Sequence, residues 1–104
     1  MIRKDLVIIN NEKIFRDSNN NFYCDNLDLK ILPEGLNSYH KVQYIVRDSK
    51  KKKGQKINLE NIKNSSNIMS FIFSIYKTFK IPNATYLLIC ITPYTFFSFI
   101  LLFL

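Results

Sequence analysis

The chain begins with a short apolar run that is followed by a long polar stretch. Residues 6–9 form a continuous apolar run that ends at Asn10 and Asn11. This pattern predicts a parallel strand that is buried on both faces and closed by turn-forming residues. Residues 12–28 are polar and rich in asparagine, so we expect a loop there.

The middle of the chain predicts a helix-like segment, a strand and a loop. Segment 27–39 has apolar residues at helical spacing, but Pro33 and Gly35 interrupt it, which indicates a broken helix or a pair of turns. Residues 42–46 are β-branched and aromatic and predict a second strand. Residues 50–53 are four lysines and favour an exposed loop.

Residues 59–79 have the spacing of a mostly buried helix. The N-cap candidates are Asn58 and the polar cluster 64–66, and Pro82 prevents continuation of the helix. Apolar residues cover most of the predicted surface. The polar residues fall on one narrow stripe: Asn67, Ser70, Ser74, Lys77 and Thr78.

Residues 86–104 are an uncharged run of 19 residues with two interpretations. Residues 86–91 have the length of a buried strand, residues 92–95 suit a turn, and a helix would start after them. Alternatively, the run is a transmembrane helix, since about 20 apolar residues are enough to cross a membrane. Lys77 and Lys80 would then lie at its cytoplasmic end. Both interpretations remain open on the sequence.

The order of these elements indicates an α/β fold. The predicted order matches that of a Rossmann-like doubly wound parallel sheet. It runs strand, polar segment, strand, basic loop, helix, strand and the start of a further helix. The alternative is an α+β module with a C-terminal transmembrane helix. With 104 residues, the chain has room for one domain over residues 1–104.

Positive charge is concentrated in the middle of the chain. Residues 40–63 have eight basic and two acidic side chains, whereas residues 1–39 have five and six. A solvated loop is the default for the lysine run, and contact with a phosphate or an anionic lipid headgroup is the functional alternative. We expect no nucleic acid partner, because no aromatic residue interrupts the run and no binding motif is present. The lysines concerned are Lys50, Lys51, Lys52 and Lys53.

We expect no metal and no cofactor. Cys24 and Cys90 lie far apart without metal-ligand spacing, and His40 has no cysteine or histidine near it in sequence, so both cysteines are expected to be free thiols. The apolar stretch after Asp5 is too short for the core of a signal peptide. The expected location is cytoplasmic with association to the inner membrane, or, in the transmembrane alternative, single-pass with the N-terminus in the cytoplasm.

Three segments carry a family resemblance. They are DLVIINNEKIF at 5–15, FYCDN at 22–26 and YLLICITPYT at 86–95. With the order of elements, these segments resemble the N-terminal domain of bacterial GT-B glycosyltransferases of the family 4-like group. Enzymes of that group have two Rossmann-like domains, and the resemblance spans the whole chain.

The resemblance implies transfer of a sugar from a nucleotide-sugar to a glycan or lipid-linked acceptor, as in polysaccharide biosynthesis. The N-terminal domain of the family holds the acceptor, so these residues would be a truncated acceptor-side domain that is inactive alone. No catalytic residue is implied. A small single-pass membrane protein with a basic cytoplasmic module is the alternative function. The implied cleft residues lie at the ends of the first and last strands: Asn10, Asn11, Thr92, Pro93 and Tyr94.

Overall fold

The computed structural model describes residues 4–89 and Pro93. This part of the chain is an α/β fold, as the sequence predicted, but its sheet is mixed and only partly parallel. The elements of the described residues, in chain order, are β1 (Lys4–Arg16), β2 (Phe22–Cys24), α1 (Asp28–Leu36), β3 (His40–Asp48), β4 (Gln55–Ile57), β5 (Ile62–Ser65), α2 (Ile68–Thr78) and β6 (Thr85–Ile89).

Strand β1 lies at the centre of the sheet, and its 13 residues pair with three other strands. Its first half pairs in parallel with β3 on one side and with β6 on the other, and β5 continues the parallel part beyond β3. Its last residues pair antiparallel with β2, which in turn pairs with β4. The parallel strands therefore lie in the order β6-β1-β3-β5, and the antiparallel pair extends the far end of β1.

Alternate side chains of β1 point to opposite faces of the sheet. Leu6 and Ile8 pack in a buried cluster that includes α1. Val7 and Ile9 pack in a second buried cluster that includes α2. The apolar run 6–9 is continuous because a helix covers each face of this strand.

A hairpin connects β1 to β2, so the prediction of a loop over residues 12–28 is wrong. The rings of Phe15 and Tyr23 pair across this hairpin, with their centroids 6.3 Å apart. The carboxylate of Asp17 accepts the backbone N–H of Asn21 at 2.8 Å. The isolated aromatic residues therefore form a cross-strand pair, and the asparagine-rich stretch is the turn between them.

Helix α1 is a single helix that contains Pro33 and Gly35, so the prediction of a broken helix or turns over 27–39 is wrong. Proline has no N–H to donate to the carbonyl four residues earlier, which is that of Leu29. The hydroxyl of Tyr44, from β3, donates to this carbonyl at 3.2 Å instead. A neighbouring strand thus replaces the hydrogen bond that the proline removes from the helix.

Helix α2 is shorter than the helical spacing over residues 59–79 predicted, because β5 occupies part of that segment. Asn67 is the N-cap, and its side-chain oxygen accepts the backbone N–H of Ser70 at 2.8 Å. The predicted N-caps at Asn58 and at 64–66 are therefore wrong. Strand β5 was missed because a four-residue strand with mostly polar side chains has no clear period.

The predicted polar stripe of α2 is wrong at one position, and the outer face is less buried than expected. Thr78 is buried; its hydroxyl donates to the carbonyl of Ile75 and lies 2.9 Å from the hydroxyl of Tyr86. Phe73 and Tyr76 are 59% and 53% exposed. The helix packs on the sheet with one apolar face and presents other large side chains outwards.

Strand β6 covers residues 86–89 and pairs with β1, which confirms the strand interpretation of the last apolar run as far as the structure describes it. The transmembrane interpretation is wrong for these four residues. Residues 90–92 and 94–104, with the predicted remainder of the run, lie outside the described residues. Neither α1 nor α2, the helices of the described part, is long and apolar enough to cross a membrane.

Candidate functional site

A candidate site lies at the carboxyl ends of the parallel strands. Parallel strands end at the same edge of a sheet, and open α/β sheets bind ligands in the crevice outside that edge. Here the edge is formed by β6, β1, β3 and β5. Two groups of polar residues lie along it: an asparagine pair, Asn10 and Asn11, beside β6, and a basic cavity beside β3 and β5.

Asn10 lies inside the fold, with none of its surface exposed. Its side-chain amide donates to the hydroxyl of Tyr44 at 3.2 Å, and its side-chain oxygen accepts the backbone N–H of Glu12 at 2.9 Å. The same tyrosine donates to the carbonyl of Leu29 in α1. Asn10 therefore links β1, β3 and α1 at the carboxyl edge and holds the local backbone.

The backbone around Asn10 leaves the regular β1–β3 ladder. The register shifts between Ile9 and Lys13, so the strand bulges at residues 10–12. Such bulges re-aim side chains and recur at the rims of sites. Asn11, in this bulge, is partly exposed.

The structure places the predicted cleft residues only in part. Asn10 pairs with Ile89, the last residue of β6, so the asparagine pair lies where β6 ends. Pro93 is helical and exposed. Thr92 and Tyr94 lie outside the described residues, so the expected arrangement of the five cleft residues stays a prediction.

The basic cavity has a volume of about 460 Å³. It is bounded by the end of β1, by the loop that follows β3 and by the turn between β5 and α2. Of the four consecutive lysines, Lys52 is not part of its wall. The lining side chains are Lys13, Asp48, Ser49, Lys50, Lys51, Lys53 and Ser66.

The lysine loop is fixed where it leaves the sheet. The backbone N–H of Ser49 donates to the carbonyl of Ile14 at 2.8 Å, which adds one bond to the β1–β3 ladder. The hydroxyl of Ser49 accepts the backbone N–H of Lys51 at 3.2 Å. Lys53 forms an ion pair with Asp25 at 2.9 Å. The lysines are therefore presented by a loop with defined anchor points.

Four members of this wall were not predicted from the sequence: Lys13, Asp48, Ser49 and Ser66. Lys13, Asp48 and Ser66 are distant from one another in sequence, and only the parallel order of β1, β3 and β5 brings them together. The available signal was positional, since Asp48 ends β3, Ser66 directly follows β5, and Lys13 lies in the last part of β1, three residues before Arg16. Without β5, which had not been predicted, Ser66 could not be placed at this edge.

Reactive groups are scarce in the described part of the chain. The thiol of Cys24 is buried, and burial raises its pKa, so little thiolate forms at neutral pH. Within residues 4–89 and Pro93, no group of three or more histidine, cysteine, aspartate or glutamate side chains could hold a metal ion.

Comparison of the chain with protein-family models, with curated proteins and with solved structures found no match.

Proposed function

We propose that this chain is the acceptor-side domain of a GT-B glycosyltransferase, which transfers a sugar from a nucleotide-sugar to a glycan or lipid-linked acceptor. The strand order carries the proposal. Numbered among themselves, the parallel strands from β5 to β6 lie in the order 3-2-1-4, and the two helices cover opposite faces. A Rossmann-like doubly wound sheet begins with the same order.

The proposed acceptor cleft lies where the strand order reverses. Successive parallel strands are added on one side of β1 as far as β5, and β6 is then added on the other side. Ligands of open α/β sheets bind at such a switch point, which here lies between the ends of β1 and β6. Asn11 and Pro93 are the described residues proposed to contact the acceptor, together with Thr92 and Tyr94. Asn10 is a positioning residue, because its amide is held by Tyr44 and Glu12.

The proposal gives this domain binding but no transfer by itself. In enzymes with this arrangement the donor occupies the second domain, so the nucleotide-sugar is not expected to bind at the asparagine pair. The thiol of Cys24 is buried, so the proposal assigns it no part in transfer. Acceptor binding is therefore the measurable function.

The test is an amide-shift titration of the full 104-residue chain labelled with ¹⁵N. Oligosaccharide acceptors should shift the backbone amides of Asn11, Glu12 and Ile89, and UDP-glucose should leave those three unchanged. Asn11→Ala should weaken acceptor binding roughly tenfold, as expected for loss of about one hydrogen bond to a ligand. Asn19→Ala, an exposed change in the β1–β2 turn, is the matched control and should bind normally.

Failure of this proposal has a clear signature. Glycans that move none of the three amides, or a nucleotide-sugar that moves them as strongly as the glycans do, would remove the support for an acceptor cleft at this position. An Asn19→Ala variant that loses as much affinity as Asn11→Ala would show that the effect is not local.

A module that contacts an anionic membrane surface is the second candidate. The outer face of α2 favours it, because Met69, Phe73 and Tyr76 are exposed at helical spacing and the ammonium of Lys77 lies 4.9 Å from the Phe73 ring centroid. Exposed apolar side chains with adjacent lysine suit the boundary between headgroups and acyl chains. Phe73→Ser should then reduce co-sedimentation with phosphatidylglycerol vesicles, whereas Ser18→Ala in the β1–β2 turn should leave it unchanged.

A further inference from the structure

The charge of the basic cavity is largely uncompensated. Four lysines and one aspartate line it, so the wall has a net formal charge of +3. Lys53 forms an ion pair with Asp25, which is not part of the wall. Among the residues that the structure describes, Lys13, Lys50 and Lys51 have no carboxylate within ion-pair distance. Three lysines that form no ion pair among the described residues therefore line one cavity, together with a single carboxylate, that of Asp48.

These lysines come from different parts of the fold. Lys13 lies near the end of β1, whereas Lys50 and Lys51 lie in the loop after β3. A run of lysines in a solvated loop would repel one another and spread into solvent. Here the hydrogen bonds of Ser49 and the ion pair between Lys53 and Asp25 fix the loop, and Lys13 lines the same cavity. Because the loop is already ordered, a ligand would lose less free energy in fixing it.

The chemistry of the wall selects for a phosphate group. Lysine ammonium groups act as point charges for phosphate oxygens, and the exposed hydroxyl of Ser66 can donate a further hydrogen bond. Asp48 supplies the only carboxylate of the wall in the described residues, and the side-chain amide of Asn64 donates to it at 2.7 Å. That hydrogen bond ties the carboxylate to β5, and the availability of Lys13, Lys50 and Lys51 to an anion rests on their having no ion pair within the described part of the chain.

The volume of the cavity limits the kind of ligand. Pockets of about 300–1,000 Å³ accommodate small organic molecules. At about 460 Å³, this cavity has room for a phosphate and an attached organic group. A chloride ion alone would leave most of it filled with water.

We propose that the basic cavity is a binding site for the phosphate group of a small phosphorylated molecule or of a lipid headgroup. The site is independent of the proposed transferase. It lies on the β3–β5 side of the carboxyl edge, whereas the proposed acceptor cleft lies on the β1–β6 side. Either site can fail without the other.

The test is a titration of the ¹⁵N-labelled full chain with inorganic pyrophosphate at low ionic strength. The amides of residues 49–55 and 65–67 should shift together and saturate. The triple variant Lys13→Gln, Lys50→Gln, Lys51→Gln should bind roughly tenfold more weakly or worse, because it removes the unpaired charges of the wall. If this variant does not fold, Lys50→Gln with Lys51→Gln, confined to the loop, takes its place.

The matched control removes the same charge from the opposite edge of the sheet. Lys4 and Lys41 lie at the start of β1 and β3, and Lys80 follows the end of α2. The variant Lys4→Gln, Lys41→Gln, Lys80→Gln should keep its affinity for pyrophosphate within about twofold. Equal loss in both variants would mean a general response to net charge and would overturn the proposal, as would shifts that do not saturate or that avoid the cavity.

A second arm identifies the source of the phosphate. Vesicles of phosphatidylglycerol and of phosphatidylcholine are compared in co-sedimentation. Binding to the anionic vesicles that is lost in the cavity variant and kept in the control variant assigns the site to headgroups. Saturable pyrophosphate binding without vesicle binding assigns it to small phosphorylated molecules. Binding to neither probe would overturn the site.

Discussion

The two faces of the central sheet are stabilised by different interactions. On the α1 face, hydrogen bonds from Asn10 to Tyr44 and from Tyr44 to Leu29 join two strands and a helix inside an apolar cluster. On the α2 face, Phe71 and Ile75 pack against apolar side chains of the strands. Both faces have a buried apolar cluster, but the α1 face adds a chain of hydrogen bonds that joins β1, β3 and α1, whereas the hydroxyl pair of Thr78 and Tyr86 on the α2 face lies between α2 and β6.

The largest expected effect tests the α2 face. Phe71→Ala removes a ring that is 1% exposed, and should lower the free energy of unfolding by about 3–5 kcal/mol, the usual cost for buried phenylalanine. Phe73→Ala, two residues along the same helix, removes an exposed ring and should change it by less than about 0.5 kcal/mol. Urea unfolding of both variants measures the difference. Similar values would mean that α2 packs on the sheet with another face.

The next effect tests the α1 face. Tyr44→Phe keeps the ring and removes one oxygen, which leaves the amide of Asn10 and the carbonyl of Leu29 without this partner. The expected loss is about 1–3 kcal/mol, the cost of leaving a buried polar group unsatisfied. Tyr39→Phe, at a position that is 72% exposed, is the control and should change stability by less than about 0.5 kcal/mol. Equal stability of the two variants would show that the hydrogen bonds of Tyr44 do not stabilise the α1 face.

A smaller effect tests whether Tyr44 replaces the hydrogen bond missing at Pro33. Pro33→Ala supplies a backbone N–H that can bond the carbonyl of Leu29. Tyr44→Phe should then cost about 1 kcal/mol less in the Pro33→Ala background than in the native chain. A double-mutant cycle of unfolding free energies measures this coupling. A coupling of zero would show that the tyrosine does not act through that carbonyl.

The contrast between the faces also explains what could be predicted from the sequence. The buried strand at 6–9 and the strand at 42–46 were identified, because continuous apolar or β-branched runs report directly on burial. Helix α1 was not identified as one helix, because its proline is compensated by a tyrosine from another element. A local rule for proline cannot include a donor that lies 11 positions away in sequence.

The candidate site follows the same logic. The lysine run was identified as a possible anion contact from its charge alone, and three of its four residues line the cavity. Lys13 and Ser66 joined them only through strand order, which depends on pairing between distant segments. The prediction that the first strand ends at Asn10 and Asn11 is wrong, because β1 continues to Arg16 and these residues lie in its bulge; the burial of Asn10 could not be inferred from an isolated Asn-Asn dipeptide.

The smallest effect compares the buried network with an exposed one in the β1–β2 turn. The carboxylate of Asp17 accepts hydrogen bonds from the backbone N–H of Asn21 first, and also from Asn19 and Tyr23; these outweigh the opposing effect of desolvation and lower its pKa. Because the folded pKa lies below the unfolded one, the carboxylate stabilises the fold above the unfolded pKa, near pH 4, and this contribution is lost as pH falls through the folded pKa. Asp17→Asn should therefore be less stable than the native protein at about pH 7, and the gap should narrow as pH falls below about 4, as measured by urea unfolding across this range. Ser18→Ala, a neighbouring substitution without a titrating group, is the control and should follow the native pH profile. A stability difference for Asp17→Asn that does not change with pH would show that the charge of Asp17 contributes nothing to the stability of the fold.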